Sequence, residues 1–215
     1  MLFSYCVPIR NRAADFNNAL PTVLAAARKS PPVEIVVLDY GSTDCLASYL
    51  APYYGEIKYR FHDAPFFHMA RARNLVMAMG RGQYLISSNA DTLLDESYFE
   101  VVRELVERTR CDVARAGPRI NGVLVVKRGE FFKAGGFDER FEFYGPEDKD
   151  LVARLTRRGL KMAYYDPALI SYIPTPNNVK VQGYRLPLSK REMAKRMHPI
   201  FEQNETDGRL TANDA

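Results

Sequence analysis

The 215-residue chain is poor in the residues and motifs that mark several classes of protein. It has three cysteines and three histidines, with no CxxC pair and no cluster of the two types, so we expect no structural zinc site. The cysteines, Cys6, Cys45 and Cys111, are odd in number and far apart. This spacing argues against a disulfide framework and predicts reduced thiols in a cytoplasmic protein.

Long apolar runs are also missing, and none approaches the length that spans a bilayer. The first residues, MLFSYCVPIRNR, run from apolar to basic, whereas a secretory signal places its positive charge first. Neither GxxxxGK(S/T) nor GxGxxG occurs in the sequence. We therefore expect no membrane span, and neither a P-loop nor a Rossmann phosphate site is indicated.

The positive charge is mild overall but concentrated near the end of the chain. Net charge is +4, which suits an anionic ligand of many kinds. Between Val179 and Phe201 there are six basic residues and one acid, Glu192. Such a stretch is either the solvated face of a helix or a surface that holds phosphates.

Apolar runs of strand length alternate with helical patterns over the first hundred residues. Strands are predicted at 2–8, 33–39, 56–62 and 83–88, and helices at 16–29, after a cap at Ser42 or Thr43, at 68–79 and from about 95 to 108. The alternation predicts an α/β fold with a mostly parallel central sheet flanked by helices. Further strands are predicted at 122–129, 161–166 and 168–173, and a helix at 189–197.

Polar turns follow three of these strands, and in such a sheet they meet at the edge where ligands bind. They carry two cations, an acceptor, an amide and a carboxylate suited to a metal: Arg10, Arg12, Asp39, Asn89 and Asp91. This set fits a nucleoside diphosphate with a divalent ion.

The stretch FEFYGPEDKDLVARL, residues 141–155, places Glu147 and Asp148 where a turn becomes a helix. Acids at that position gain only ~0.3–1 kcal/mol from the helix dipole, so they either decorate the helix end or serve the edge of a cleft. The aromatic residues before them, including Phe143 and Tyr144, offer the flat apolar surface on which sugars stack. A glycine pair, Gly135 and Gly136, would let the backbone approach a ligand closely.

Four stretches, in order, resemble the GT-A glycosyltransferases, in particular the family 2 group with a galactosyltransferase-like carboxyl-terminal motif. They are VPIRNR (7–12), VVLDYGSTD (36–44), ARARNLVMAMGRGQYLISSNAD (70–91) and GVLVVKRGEFFKAGGFDERFEFYGPEDKDLVARL (122–155). The resemblance covers most of residues 3–165. It implies a GT-A domain at 1–175 and a basic extension at 176–215 that packs on or near the active site.

The resemblance also implies roles for individual residues. The nucleotide-sugar would be held by Pro8, Arg10, Asp39, Arg71, Arg73, Asn89 and Asp91. Asn89-Ala90-Asp91 occupies the place of the DxD motif, and Glu147-Asp148 that of the ED pair, in which Asp148 would be the base and Glu147 would orient the acceptor. The acceptor or sugar would meet Phe143, Tyr144 and Gly145.

Two departures from the pattern concern the metal. The first acid of DxD is Asn89, which brings no charge, so Asp91 would be the clear carboxylate ligand of Mn²⁺ or Mg²⁺. Related enzymes often supply a histidine after the ED helix, but residues 168–178 contain none. His198 would have to fold back over the site to act as a ligand.

The expected activity is inverting transfer of a sugar from a nucleotide-diphosphate sugar, most simply a UDP-sugar, to the hydroxyl of a glycan or another acceptor. One alternative is transfer to a hydroxymethylated base in DNA, with the basic stretch holding phosphates. A third reading is a non-catalytic module that binds nucleotide sugars, which Asn89 and the missing histidine favour.

Overall fold

The computed structural model describes residues 2–117 and 122–213. The strands are β1 (Phe3–Ile9), β2 (Val33–Asp39), β3 (Ile57–Phe61), β4 (Tyr84–Ser87), β5 (Thr92–Leu94), β6 (Val113–Arg115), β7 (Leu124–Lys127), β8 (Met162–Tyr164) and β9 (Ile170–Tyr172). The helices are α1 (Ala13–Lys29), α2 (Leu46–Leu50), α3 (Met69–Met79), α4 (Tyr98–Thr109), α5 (Arg128–Lys133), α6 (Glu147–Arg157), α7 (Asn177–Lys180) and α8 (Lys190–Thr206). None of the helices in these ranges has the length and apolar character that a bilayer crossing requires.

Seven strands form the central sheet in the order β3-β2-β1-β4-β7-β6-β8. The pairs β3/β2, β2/β1, β1/β4 and β6/β8 are parallel, and β7 alone runs against its neighbours. Strands β5 and β9 form a separate antiparallel pair. The predicted α/β fold with a mostly parallel sheet is therefore confirmed.

Helices cover both faces of the sheet, which is why its inner strands read as continuous apolar runs. Phe3, Tyr5 and Val7 of β1 belong to the hydrophobic layer under α1, α2 and α4. Cys6 of the same strand points into the opposite layer, which contains residues of α3, α5, α6 and α8. Since neither face of the strand meets water, the polar residues of this region collect at its carboxyl end.

The first strand passes through Pro8 rather than stopping there. The backbone groups of Cys6 and Pro8 point toward β4, since the carbonyl of Cys6 accepts from the N–H of Ser88. The carbonyl of Ile9 points the other way, toward β2, and accepts from the N–H of Tyr40. Pairing with β4 ends at Cys6. Pro8 has no N–H, but none is needed at this position because the pairing with β4 has already ended, so the strand continues to Ile9.

The helix expected after Ser42 or Thr43 is wrong in its start. It begins at Leu46, and its first free N–H donates to the carboxylate of Asp44. The Ser42 hydroxyl accepts from the N–H of Asn11, and the Thr43 N–H donates to the Asn11 side chain. Both residues therefore hold the neighbouring turn instead of capping the helix.

The last helix is tied to the sheet domain by a buried amide. Asn204 of α8 donates to Asp138 at 3.0 Å and to Asp150 of α6 at 2.6 Å, and it accepts from Arg140. Burial opposes ionisation of Asp138, but hydrogen bonds from Arg140 and Asn204 outweigh it and lower its pKa to about 2. Asp150 in turn holds the fully buried Arg154.

We expect Asn204→Ala to destabilise the protein by at least about 2 kcal/mol, because two buried carboxylates then lose a donor. For a chain of this size that corresponds to a fall in Tm of roughly 2–4 °C per kcal/mol, measured by thermal unfolding. Gln203→Ala, on the exposed side of the same helix, is the matched control and should leave Tm nearly unchanged. Equal Tm values for the two variants would mean that the amide does not anchor α8.

Candidate active site

A cleft of about 580 Å³ opens at the carboxyl ends of β1 and β4, where open α/β sheets bind ligands. That volume is typical of small-molecule sites, which span roughly 300–1,000 Å³. Its lining includes Pro8, Arg10, Arg12, Arg73, Asn89, Asp91, Tyr144, Gly145, Glu147, Asp148, Lys149, Tyr172, Lys180, Ala194 and His198. Asp91 and Asp148, 57 positions apart in the chain, thus face one cavity.

The guanidinium of Arg73 organises the floor of this cleft. It reaches from α3 to the Ser87 hydroxyl at 2.9 Å, the Asn89 amide oxygen at 2.9 Å and Oδ1 of Asp148 at 2.7 Å. Arg73 is 2% exposed, and its charge also lies 5.2 Å from the centre of the Phe137 ring. A planar fork of donors suits such a bridge, and lysine could not replace it. The end of β4 and the start of α6 are thereby held together.

Glu147 and Asp148 begin α6 but occupy different environments. Asp148 is part-exposed and pairs with Arg73, whereas Glu147 is 3% exposed and accepts from the N–H of Gly145 at 3.3 Å. Burial, reinforced by the negative charge of Asp148, raises the pKa of Glu147 to about 8. Glu147 is therefore protonated near neutral pH, beside the Asp148 carboxyl group that pairs with Arg73, and two neighbouring carboxyl groups in unlike environments are typical of sites that move protons.

Asp91 lies between two cations. Its Oδ2 is 3.4 Å from Nη2 of Arg12 and 3.4 Å from Nζ of Lys180. Its backbone carbonyl accepts from the N–H of Ile173, just beyond β9. Arg12 also donates to Thr175, so the segment after β9 is held against the turn that carries Asp91.

Helix α8 forms one wall of the cleft. A Cβ at Gly145 would come within 2.6 Å of the Met197 Cβ, so the turn before α6 and this helix are in close contact. The ammonium of Lys190 lies 4.5 Å from the centre of the Tyr144 ring. His198 lines the cleft as well, but its side chain is 58% exposed and its Nε2 lies 3.3 Å from Glu202.

Asp39 and Arg10 support the cleft from behind or at its rim. Asp39 is 3% exposed, and its carboxylate accepts from the Ser42 N–H and the Tyr59 hydroxyl, each at 2.8 Å. Asp39 therefore holds the turn after β2, and its contact with the nucleotide stays a prediction. Arg10 lines the cleft while it donates to the carbonyls of Tyr40, Ala64 and Pro65.

Two other candidate residues lie outside the cleft lining. Arg71 is exposed on α3, with its backbone N–H donating to His68. Phe143 is 6% exposed and packs 6.2 Å from the Tyr184 ring, so it supports the wall rather than facing the cavity. Their binding roles stay predictions.

The glycine pair does not admit a ligand. A Cβ at Gly135 would lie 1.9 Å from the carbonyl oxygen of Ala212, and one at Gly136 would lie 2.5 Å from the Asn74 side chain. The close approach expected at these glycines is therefore made by the chain itself.

The residues of the cleft fit a resident divalent ion poorly. The side-chain oxygen of Asn89 accepts a hydrogen bond from Arg73, and the carboxylate of Asp91 already faces two cations. Within residues 2–117 and 122–213 no three side chains of His, Cys, Asp or Glu converge in a way that would hold a metal. Mg²⁺ in nucleotide sites is held by one or two carboxylates together with the substrate's phosphates, and the carboxylate present for that role here, Asp91, is already paired with two cations.

Sequence reasoning misses Ser87 and Lys180 as parts of this site. Ser87 is indistinguishable in sequence from any other strand serine. Lys180 belongs to the basic stretch that begins at Val179, but nothing in that pattern pairs it with an acid at position 91.

Comparison with known proteins agrees with this architecture. The family model described as "Glycosyl transferase family 2" matches residues 4–147. No curated protein matches the chain.

Solved structures share the fold at low sequence identity. S. aureus TarS (residues 1–349) in complex with UDP has a TM-score of 0.70 and 14% identity, over 96% of this chain and 72% of that one. The mannosyltransferase PcManGT from Pyrobaculum calidifontis, in complex with GDP-Man and Mn²⁺, has a TM-score of 0.68 and 16% identity, over 85% of this chain and 58% of that one. The catalytic domain of Drosophila β1,4-galactosyltransferase 7, in complex with xylobiose, has a TM-score of 0.61 and 17% identity, over 90% of this chain and 79% of that one. With residues 4–147 of 215 matched, the chain belongs to glycosyl transferase family 2 and has the GT-A fold.

Proposed function

We propose that this protein is an inverting glycosyltransferase that moves a sugar from a nucleotide-diphosphate sugar to an acceptor hydroxyl, with Asp148 as the base. The observation that carries the proposal is that Asp148 and Asp91 line one cleft, with Arg73 fixing the first of them. The galactosyltransferase-like motif at 122–155 and the family 2 membership support the same placement of the base.

The proposed step is a single displacement. The acceptor oxygen attacks the anomeric carbon, and its proton passes to the carboxylate of Asp148. A bond forms between that oxygen and the anomeric carbon, while the bond from this carbon to the phosphate oxygen breaks. The electron pair of the broken bond leaves on the nucleoside diphosphate, and the configuration at the carbon inverts.

Arg73 engages Oδ1 of Asp148, and in the described part of the chain nothing donates to Oδ2. That second oxygen is available to the acceptor hydroxyl. Glu147, protonated below about pH 8, supplies a neutral hydrogen-bonding group beside it, which orients the acceptor without a second negative charge. Tyr144 and Gly145 supply the surface next to these acids.

The donor end of the cleft lies at Pro8, Arg10, Asn89 and Asp91. A UDP-sugar is the donor we propose, because the neighbour TarS was solved with UDP. The neighbour PcManGT was solved with GDP-Man, so a GDP-sugar is the donor to compare with it. The Mn²⁺ or Mg²⁺ suggested by the resemblance, and by Mn²⁺ in PcManGT, has one carboxylate, Asp91, to hold it, and no step above depends on it.

A second candidate is transfer to a hydroxymethylated base in DNA. Four basic side chains of the carboxyl-terminal segment, Arg185, Arg191, Lys195 and Arg196, are exposed and free to meet phosphates. Such binding would weaken steeply as salt rises. A duplex whose affinity does not change with salt would exclude this acceptor.

Replacing Asp148 with Asn should lower transfer by about 10²–10⁴-fold while donor binding survives, because the amide cannot accept the proton. Donor binding is measured by calorimetry, and transfer by product formation from a panel of UDP-, GDP- and TDP-sugars. Asp63→Asn, an exposed acid outside the cleft, is the matched control. Near-normal transfer by the Asp148 variant would refute the assignment. Donor binding by the wild type without transfer or slow hydrolysis would favour a non-catalytic module.

The raised pKa of Glu147 predicts an alkaline loss of activity. Glu147 is neutral below about pH 8 and ionises above it, which places a second charge beside Asp148. We expect kcat/KM to fall as the pH rises through 8, by about tenfold per pH unit. Glu147→Gln, which stays neutral, should keep its activity between pH 7 and pH 9.5. If this variant loses activity along the same curve as the wild type, another group is titrating.

A further inference from the structure

Most of the charged side chains that line the cleft are positive. Five basic residues line the cleft, Arg10, Arg12, Arg73, Lys149 and Lys180, against three acids. One of those acids, Glu147, is neutral at pH 7. The cavity therefore carries an excess of positive charge, as a site for a diphosphate requires.

Two of these cations pair with Asp91, the carboxylate to which the resemblance assigns a metal. Nη2 of Arg12 and Nζ of Lys180 each lie 3.4 Å from Oδ2 of Asp91. The first position of the DxD pattern is the neutral Asn89, whose side-chain oxygen accepts a hydrogen bond from Arg73. Arg12 also pairs with Asp15, which lies outside the cleft lining, so within the cleft the two cations face a single carboxylate, that of Asp91.

Lys180 is delivered to this point by a segment held at both ends. At one end, Ile173 donates to the Asp91 carbonyl and Arg12 donates to the Thr175 hydroxyl. At the other end, the carbonyl of Gly183 accepts from the N–H of Phe67 at 2.7 Å. A Cβ at Gly183 would lie 3.0 Å from the Arg10 side chain, so this end packs against the cleft rim.

We propose that Lys180 and Arg12 bind the donor's diphosphate and stabilise it as it departs, in place of a divalent cation; this rests on the proposed function. When the bond from the anomeric carbon to the phosphate oxygen breaks, its electron pair and the new negative charge remain on the diphosphate. The ammonium and guanidinium groups donate charge-assisted hydrogen bonds to those oxygens. Asp91 is then the residue that positions both cations.

The experiment compares the full chain after EDTA treatment with the same protein given MnCl₂. Calorimetry measures the Kd of UDP and of GDP, and turnover of the matching sugar nucleotides is followed in parallel. We expect the Kd of the preferred nucleotide and its turnover to differ by less than about threefold between the two conditions. Lys180→Met should raise that Kd at least tenfold, lower turnover about 10²-fold and flatten the dependence of Kd on salt, while Lys180→Arg keeps most of both.

Lys161→Met, an exposed lysine just before β8 and outside the cleft, is the control and should behave like the wild type. Lys180 is part-exposed, and an unchanged Tm verifies that its variants fold. Binding or turnover that EDTA abolishes and Mn²⁺ restores would overturn this inference and leave the proposed function standing. Wild-type affinity in Lys180→Met would do the same. Absence of nucleotide binding and of turnover in both conditions would overturn the proposed function and this inference with it.

Discussion

The buried charge of Arg73 is the constraint on which the cleft depends. A guanidinium that is 2% exposed must find partners for its charge, because an unpaired buried ion is far too costly. It finds them on β4, on the turn that follows and on the first turn of α6, at Ser87, Asn89 and Asp148. The relative positions of the sheet edge and the helix are thus set by one planar group. Amphipathic packing of α6 alone would leave its start free to shift.

The surrounding polar residues divide into those that build the turns and those that face the cavity. Asp39 is the last residue of β2 and Arg10 comes directly after β1, at the strand ends where ligand-binding residues lie in such folds. Arg10 nevertheless donates to the backbone carbonyls of adjacent turns, and Asp39 accepts from the backbone of Ser42 as well as from the Tyr59 hydroxyl. Turns at a sheet edge expose many peptide groups that have no ladder partner, and the nearest charged side chains satisfy them first.

The strands were predictable because burial on two faces leaves a local pattern. The β-branched run VEIVVLD coincides with β2 from Val33 to Asp39, and the alternation of elements fixes the sheet class. The short elements β5, β6, α5 and α7 were not predictable, because they have only three to six residues and show no period. Convergence of Asp91 and Asp148 followed from family resemblance and strand order. The pairing of Asp91 with Lys180 did not, since a contact across 89 positions has no trace in local sequence.

The contact between Gly145 and Met197 has a consequence for how this scaffold can be varied. Because a Cβ at position 145 would collide with the Met197 side chain, the spacing between the loop that bears the acids and the last long helix requires the smallest possible residue. Helix α8 lies beyond the matched range 4–147, yet Ala194 and His198 form part of the cleft wall. Exchanging side chains along that helix would therefore remould the mouth of the cavity while its floor, built on the sheet, kept its shape.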